Sequence, residues 1–516
     1  MPPHEKLIEK KVKLPKLPEI TPQNIPQGTK IYGTIEKAQG IGKAIVIPVE
    51  FTDKPRQPED IIPSNYFDIL FNSVKADWSN INPYNVGSVR EFYLENSYGQ
   101  FDITATVLPW YTAQTYSYYI NDGNNGFNGG VFVLVKEVLQ HAVDIGYDLR
   151  NYDVVFVIHS GQGAEWTGYP NDIWSHASTV YVNIGGKNVP IRYSIEPEYM
   201  EDYDTQGNPV IMPQTVGVFV HEMGHSFGHL PDLYDRDYSS LGLGRWSLMA
   251  AGSWNGPQGP GGYSIGGGPS HFDAWSKIQL GWITPTVPTN DLTNVNIPPV
   301  ETNPVVYKLW TDGAEGPQYF LIENRQPIGF DKYLRGFGLL IYHVDENMRN
   351  FQNDNEWYPG LDPSRHYLVA LEQADGKWDL EKRRNSGDAG DPYPGSTNNT
   401  TFDENSTPNS NAYGEIPTGV AVKNITASGE NIICDIYVKS LSAPQTTSFV
   451  KHLAWTGENP LTIRPLFKWK PIPYAVNYTL QVATDSNFNS IIINVSTEKY
   501  YLYTLLNIPS LNPGLR

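Results

Sequence analysis

Val216-Gly217-Val218-Phe219-Val220-His221-Glu222-Met223-Gly224-His225 is an apolar run that ends in two imidazoles four residues apart, with a carboxylate beside the first. On a helix four residues advance about 400°, so His221 and His225 point the same way and can ligate one small cation. Glu222 then projects toward the same cleft. Zinc held by three protein groups keeps a fourth position for water and lowers that water's pKa toward roughly 7. A glutamate beside it can take the proton as water attacks a carbonyl, then pass it to the leaving amine. The pentapeptide therefore predicts a zinc peptidase site with Glu222 as general base. The competing reading is a chance match inside a buried helix, and the residues downstream bear on it.

A thermolysin-like site draws its third ligand from a glutamate on a later helix. After Glu222, however, the next glutamate is Glu301, which is too distant for that arrangement. The run Ser226-Phe227-Gly228-His229-Leu230-Pro231-Asp232-Leu233-Tyr234-Asp235 offers another route. Gly228 and Pro231 form a helix stop that turns the chain back, so that a nearby His or Asp completes the metal site.

His221-Glu222-x-Gly224-His225-x-x-Gly228, followed by Pro231-Asp232-Leu233-Tyr234-Asp235, resembles the immune inhibitor A family of secreted bacterial and archaeal metallopeptidases. That family belongs with the metzincins, whose members carry a methionine turn beneath the zinc. Arg245-Trp246-Ser247-Leu248-Met249-Ala250-Ala251-Gly252-Ser253-Trp254-Asn255-Gly256 is similar to the family's turn segment, which makes Met249 the expected floor residue rather than an ordinary core methionine. Asp232 lies one residue further from His221 than the family spacing, so two third ligands stand open. Asp232 sits in the matching Pro-Asp-Leu-Tyr-Asp block and a carboxylate ligates zinc well, whereas His229 offers the more usual imidazole beyond a helix-breaking glycine. Some metzincins stabilise the oxyanion with a tyrosine two residues after the turn methionine. Here that position is Ala251, and Tyr234 is read as packed.

The resemblance covers about residues 35 to 440. Gly87-Ser88-Val89-Arg90-Glu91-Phe92-Tyr93 and Asn96-Ser97-Tyr98-Gly99 look like its early helix and the strand that follows. Val154 to Ile158 is a β-branched, apolar run of buried-strand type. Ser270-His271-Phe272-Asp273-Ala274-Trp275 resembles the closing helix of the catalytic domain. His159, His176 and His271 are read as hydrogen-bonded structural histidines. Gly262-Tyr263-Ser264-Ile265-Gly266 matches the serine-hydrolase pattern but lies in a Gly/Pro-rich loop without the flanking strand and helix of a nucleophile elbow. Cys434 lies in an alternating strand-like run, remote from these motifs.

The expected fold class is α+β: a metzincin-like zinc peptidase catalytic domain, then a β-rich domain, then a partial fibronectin type III-like β-sandwich. Residues 1–34 read as a propeptide-like or linker segment, 35–285 as the catalytic domain, 286–440 as the β-rich domain and 441–516 as the sandwich module. A Pro/Thr/Asn-rich stretch after Ile283 to about Pro304 reads as a connection. Alternating runs then begin at Val305–Leu309, Tyr319–Glu323, Gly338–Val344, Tyr367–Glu372 and Ile432–Val438. Near the end, Tyr478, Leu480 and Val482 alternate as in a half-buried sandwich strand, but a full sandwich needs about seven strands over roughly 90 to 100 residues, so the module is expected to be incomplete.

With 516 residues, 13% aromatic content, 46 Gly, 41 Pro and one Cys, this is a turn-rich globular chain whose stability does not rest on disulfides. Its net charge of −18 disfavours nucleic acid or anionic membranes as partners. No signal-peptide-length apolar run appears at the start, and no stretch is long enough to span a membrane. Export is implied by the family resemblance alone. The Lys/Glu/Pro-rich start contains no cysteine, which excludes a thiol switch and leaves latency through an aspartate or cleft occupation open. Calcium is a second candidate metal, with Asp388 and Asp391 of Gly387-Asp388-Ala389-Gly390-Asp391 as candidate ligands on a glycine-bent loop and Asp375-Gly376 upstream.

The function these features imply is a secreted zinc endopeptidase acting on protein or peptide substrates. The alternative, kept open by the extra residue before Asp232, is a catalytically weak or inactive peptidase fold acting as an extracellular binding or adhesion protein, with the terminal β module touching a cell surface or polymer. A zinc hydrolase for a non-peptide amide is a further possibility within the enzymes.

Overall fold

A computed structural model describes residues 1–9, 25, 29–227 and 230–438. In the C-terminal stretch it describes 446–454, 462–469, 478–483, 485, 489–497 and 501–503. The central sheet is built from β1 (Gly40–Phe51), β2 (Phe101–Val107), β3 (Tyr111–Ala113), β4 (Val154–His159), β5 (His176–Ile184) and β6 (Lys187–Pro197). Its order is β2-β1-β4-β6-β5, with β3 extending the pairing of β1, and β7 (Tyr199–Tyr203) pairs with β8 (Pro209–Pro213) as a separate antiparallel hairpin. All pairings are parallel except β5 with β6, so an antiparallel strand forms one edge.

Every residue of β4 is buried, as its uninterrupted Val-Val-Phe-Val-Ile run requires of a parallel strand covered on both faces. Side-chain alternation divides the sheet between two cores. Ile45, Ile47, Val49, Val155 and Val157 face α2 (Gly130–Asp144), whose Leu134, Val135 and Val138 are buried against them. Val46, Val154, Phe156 and Ile158 face the other way, toward α3 (Val216–Gly224) and α1 (Val89–Asn96). Each fully buried aromatic or branched side chain contributes about 1.5–3 kcal/mol here relative to exposure. The early helix starts where the sequence places it. Ser88 Oγ accepts from Glu91 N at 3.0 Å and Glu91 Oε2 accepts from Ser88 N at 2.9 Å, a reciprocal cap. Tyr93 on this helix donates its hydroxyl to the Val220 carbonyl at 2.8 Å, locking α1 against α3.

The β-rich stretch that follows matches the expected runs. β10 (Tyr307–Leu309), β11 (Gln318–Arg325), β12 (Gly338–Asp345) and β13 (Val369–Leu371) form one antiparallel sheet. A second sheet contains β14 (Ala421–Ser428), β15 (Asn431–Tyr437) and β9 (Leu292–Ile297). β9 corrects the reading of 284–304 as a pure connection: Ile432 pairs with Ile297 and Cys434 with Val295. Only Ile297 of β9 is buried, so the strand is an exposed edge whose Thr and Asn residues hide its periodicity. Cys434 is buried, and burial pushes its thiol up to about 12, which suits a small core residue.

One hydrophobic cluster extends from the central sheet through the β-rich sheets. Phe92 of α1, for example, meets Phe330 edge-on with ring centres 5.0 Å apart. At this junction Arg325 is fully buried and binds Asp331 at 2.8 Å and Glu323 at 3.1 Å, with Glu301 at 3.5 Å. Its Nη1 also donates to the Trp246 carbonyl at 3.2 Å. Among the described C-terminal residues, Thr446–Ala454, Thr462–Trp469 and Tyr501–Tyr503 form a three-stranded antiparallel sheet, and Tyr478–Ala483 pairs with Ile491–Thr497. The remainder of the expected sandwich module lies outside the described residues.

Candidate active site

Helix α3 carries the first two site residues and is buried along its whole length. Its first N–H groups are met by side-chain and backbone acceptors: Val216 N donates to Asn85 Oδ1 at 3.1 Å and Gly217 N to the Gly266 carbonyl at 2.8 Å. The α-helix ends at Gly224, earlier than the Gly228 expected from the sequence, and tightens into a 3-10 turn over His225–Phe227. Gly228 and His229 lie outside the described residues, so the His229 alternative is not located.

Gly224 is where the segment carrying Met249 meets the helix. A Cβ built there would stand 2.6 Å from Met249 Sδ and 3.3 Å from its Cε. Met249 is fully buried beneath α3. The turn does more than fill space, because the Leu248 carbonyl accepts from His221 Nδ1 at 2.8 Å. Met249 O accepts from Leu233 N at 2.8 Å, which ties the segment carrying Asp232 to the same floor. His225 Nδ1 is fixed in turn by the Leu230 carbonyl at 3.0 Å. Both rings thus spend Nδ1–H on a backbone carbonyl and present Nε2 lone pairs, the usual orientation of ligating histidines.

Those Nε2 atoms converge on Asp232, whose Oδ1 stands 3.3 Å from each. The two imidazole planes are nearly perpendicular, with centres 5.2 Å apart. His221 Nε2 and Asp232 Oδ1 are buried with no hydrogen-bond partner outside this group, and Glu222 Oε2 is buried without one. Orphaned donor atoms of this kind, within 4.8 Å of one another for the His-His-Asp group, fit a metal ion. The electrostatics agree. Burial opposes ionisation of Asp232, but His225 and His221 hold its carboxyl well below the usual range. Burial lowers His221, keeping it the neutral form that a metal requires. Burial also works against His225, but Asp232 outweighs it and raises that ring, a proton that a cation would displace.

Tyr234 is buried as expected, yet its hydroxyl has no hydrogen-bond partner and its ring lies 6.3 Å from that of His221. His159 Nδ1 lies 3.1 Å from the Ser160 carbonyl, and burial lowers its pKa to about 3. His176 bridges the Trp174 carbonyl and the Tyr193 hydroxyl, and His271 meets Glu95 and Lys277. None of the three joins the His-His-Asp group. Ser264 lies in a loop and accepts from Arg245 Nη1 at 3.1 Å, with no elbow around it. The second acidic group gathers Asp375, Asp379 and Asp388, whereas Asp391 stands apart. Its Oδ2 is taken by Trp246 Nε1 at 2.8 Å and Asp388 N at 3.0 Å.

Sequence reading missed the cleft walls. Residues 1–9 lie along the cleft, with the Met1 nitrogen 2.7 Å from Glu222 Oε1. Trp174 Nε1 donates to the Met1 carbonyl at 2.9 Å and Trp254 Nε1 to the Pro2 carbonyl at 3.0 Å. His4 sits edge-on to Trp166, Trp254 and Tyr263, with its Nε2 2.8 Å from the Ser264 carbonyl. Glu5 pairs with Arg245 at 2.7 Å and Arg335 at 3.3 Å. These residues come from segments far apart in the chain and carry no shared spacing, so no local signal marks them.

Residues 39–156 and 153–283 match the immune inhibitor A peptidase M6 catalytic domain. The chain is 26% identical over 322 residues to the pre-pro-metalloprotease PrtV of Vibrio cholerae, covering 54% of this chain and 33% of that protein. It is 30% identical over 215 residues to immune inhibitor A of Bacillus thuringiensis subsp. alesti, covering 33% of this chain and 29% of that one. A putative secreted metallopeptidase of Arthroderma benhamiae is 23% identical over 207 residues, 34% of this chain and 30% of its own. The chain therefore spans about a third of the length of these curated relatives. Among the described residues, no helix is long and apolar enough to cross a membrane. Residues 39–283 thus carry a catalytic domain of the immune inhibitor A, or M6, metallopeptidase type.

Proposed function

We propose that the chain is a secreted zinc-dependent endopeptidase, with His221, His225 and Asp232 as metal ligands and Glu222 as general base. The observation that carries this reading is the convergence of His221 Nε2, His225 Nε2 and Asp232 Oδ1 on one point beside the buried Glu222 carboxylate. Two imidazoles and one carboxylate are a donor set that zinc prefers, and zinc bound there supplies Lewis acidity to an amide carbonyl and to water. Glu222 neighbours His221 on the rigid helix, and its carboxylate is held ionised: burial opposes this, but the Met1 nitrogen and the two histidines outweigh it. It accepts a proton from water as the carbonyl is attacked and returns it to the departing amine. The Leu248 and Leu230 carbonyls orient the two rings, while Met249 fixes the helix above the turn. A peptide would lie in the cleft at the mouth of β5, whose outer edge offers backbone groups for strand addition.

Secretion is supported by the likeness to a putative secreted metallopeptidase of Arthroderma benhamiae. For calcium, the reading narrows to Asp388 with Asp375 and Asp379 as oxygen donors, and a calcium-dependent rise in Tm is its test. The fibronectin-like module of residues 441–516 would serve adhesion or spacing. No observation favours the inactive binding-protein alternative, which drew on the altered spacing of Asp232.

The deciding experiment is hydrolysis of casein by the purified chain, with and without 1,10-phenanthroline, paired with elemental analysis. Chelator-sensitive cleavage with about one zinc per chain is the expected result. Cleavage that survives complete metal removal overturns the reading.

A further inference from the structure

We propose that Thr179, Arg192 and Ser194 form a carboxylate-binding site on the α3-facing side of β5 and β6, suited to an acidic side chain of a peptide laid along the outer edge of β5. A peptide as the source of that carboxylate rests on the peptidase reading; the site itself and its test need no turnover. Strand alternation sets the arrangement. Ser194 pairs with Phe156, which meets Phe219 of α3, so Ser194 and, two residues before it, Arg192 face that helix. Thr179 stands directly opposite Arg192 across the antiparallel pair, where Cβ atoms lie about 4.5–5.5 Å apart. Ala177, opposite Ser194, adds little bulk beside them.

Arg192 Nε, Thr179 Oγ1 and Ser194 Oγ are each buried without a hydrogen-bond partner among the described residues. Ser194 is fully buried, whereas Arg192 and the α3-facing residues of β5, Ala177, Thr179 and Tyr181, are half-buried, so the cluster opens on the β5 side. Water can satisfy a hydroxyl, but a guanidinium taken largely out of water calls for an anion. Arg192 makes no ion pair with a described residue. Burial works against its charge, and the carboxylate that acts to hold it is Glu222 of the neighbouring helix. Further along the same row, Glu196 is fully buried with neither oxygen partnered. Burial raises it well above the ordinary carboxyl range, against Ser194, which lowers it, so it stays neutral and does not repel an incoming carboxylate. A guanidinium with two hydroxyls beside it is a donor set for a carboxylate. β5 ends the sheet. A peptide added to that edge lies about 4.8 Å further out and turns alternate side chains to the α3-facing side, beside Thr179, where a glutamate reaches in toward Arg192.

The test is thermal unfolding of the full zinc-loaded chain with three probes: N-acetylglutamate N-methylamide, its glutamine counterpart and sulfate. At about a hundredfold excess over its Kd the glutamate derivative should raise Tm by about 2–3 °C, and the glutamine derivative should leave it unchanged. Arg192→Met keeps the stem and removes the charge. Freed of an unpaired guanidinium, it should unfold no lower than wild type and lose the response. Thr179→Val/Ser194→Ala keeps Arg192 and should weaken the apparent Kd about tenfold. No glutamate-specific shift in wild type, or an undiminished shift in Arg192→Met or in the double variant, overturns the site. A shift with sulfate that needs Arg192, without one from the glutamate derivative, makes this a site for a free inorganic anion and overturns the peptide assignment. Casein cleavage is scored separately: a glutamate response in a chain that cleaves nothing upholds the carboxylate site and counts against the peptidase reading alone.

Discussion

Replacing Gly224 with alanine tests the link between the helix and the turn beneath it. The new Cβ would meet Met249 Sδ at 2.6 Å, whereas ordinary contacts between heavy atoms lie near 3.5–4.0 Å, so about an ångström of displacement is needed. Met249 is fully buried and its carbonyl is tied to Leu233 N, so the floor has little freedom to retreat. Overpacking of this kind costs about 1–3 kcal/mol, and the better helix propensity of alanine returns at most about 1 kcal/mol. The net loss is therefore about 0–3 kcal/mol, read as a fall in Tm of a few degrees. Activity should suffer more than stability. His221 and His225 flank the displaced position, and an ångström of misplacement at a reacting centre costs on the order of 100-fold. The assay is chelator-sensitive hydrolysis alongside thermal unfolding, for Gly224→Ala, Met249→Ala and the double variant. Met249→Ala alone should cost about 2–5 kcal/mol through its cavity, and the double variant should fall short of the sum by about 1 kcal/mol or more because the clash is gone. Additive losses, or a Gly224→Ala variant with unchanged Tm and kcat/KM, would refute the reasoning.

Glu222→Gln should lower kcat by about 10²–10⁴-fold while elemental analysis still finds the metal, because the amide cannot take the proton. Asp232→Asn should weaken zinc binding in competition with a chelator and cost activity that added zinc partly restores; undiminished affinity would exclude Asp232 as a ligand. Arg325→Ala should destabilise the chain by about 3–5 kcal/mol in denaturant unfolding, since Glu301, Glu323 and Asp331 would be left buried together. Glu198 gives a pH test. Burial raises its carboxyl to about 7, against the Gln57 N–H and Arg56, which lower it. A carboxyl raised in the folded state favours folding fully below its unfolded pKa of about 4.3, and that contribution fades as pH climbs through 7. Wild type should therefore lose stability relative to Glu198→Gln between about pH 4.3 and 7, and parallel pH profiles of the two would contradict the assignment.

The candidate site was legible because its residues are local. His221, Glu222 and His225 share one helical turn, and Asp232 and Met249 follow within the same stretch of chain. Val154–His159 was equally plain, since a strand buried on both faces has no polar alternation to confuse with a loop. β9 was missed because an exposed edge strand can be written in Thr and Asn, and its identity is decided by pairing with β15 across more than a hundred residues. The helix end shifted from Gly228 to Gly224 because the last turn tightens to bring His225 onto the Leu230 carbonyl, a tertiary demand that no capping pattern announces. The tryptophans and arginines of the cleft were invisible for a related reason: Trp174, Trp254, Arg245 and Arg335 converge on one groove only after the sheet and loops are assembled.

The guanidinium of Arg325 also bears on modularity. It leaves the β-rich sheet to hold the Trp246 carbonyl, three residues ahead of the methionine beneath the helix, and it sits among three carboxylates that no solvent reaches. A fragment cut after residue 283 would thus expose an apolar face and lose the strut under its own catalytic floor. The sequence-defined peptidase unit is consequently a poor choice for transplantation or recombinant excision. An engineer seeking a minimal version should carry the chain through Val438 and trim elsewhere.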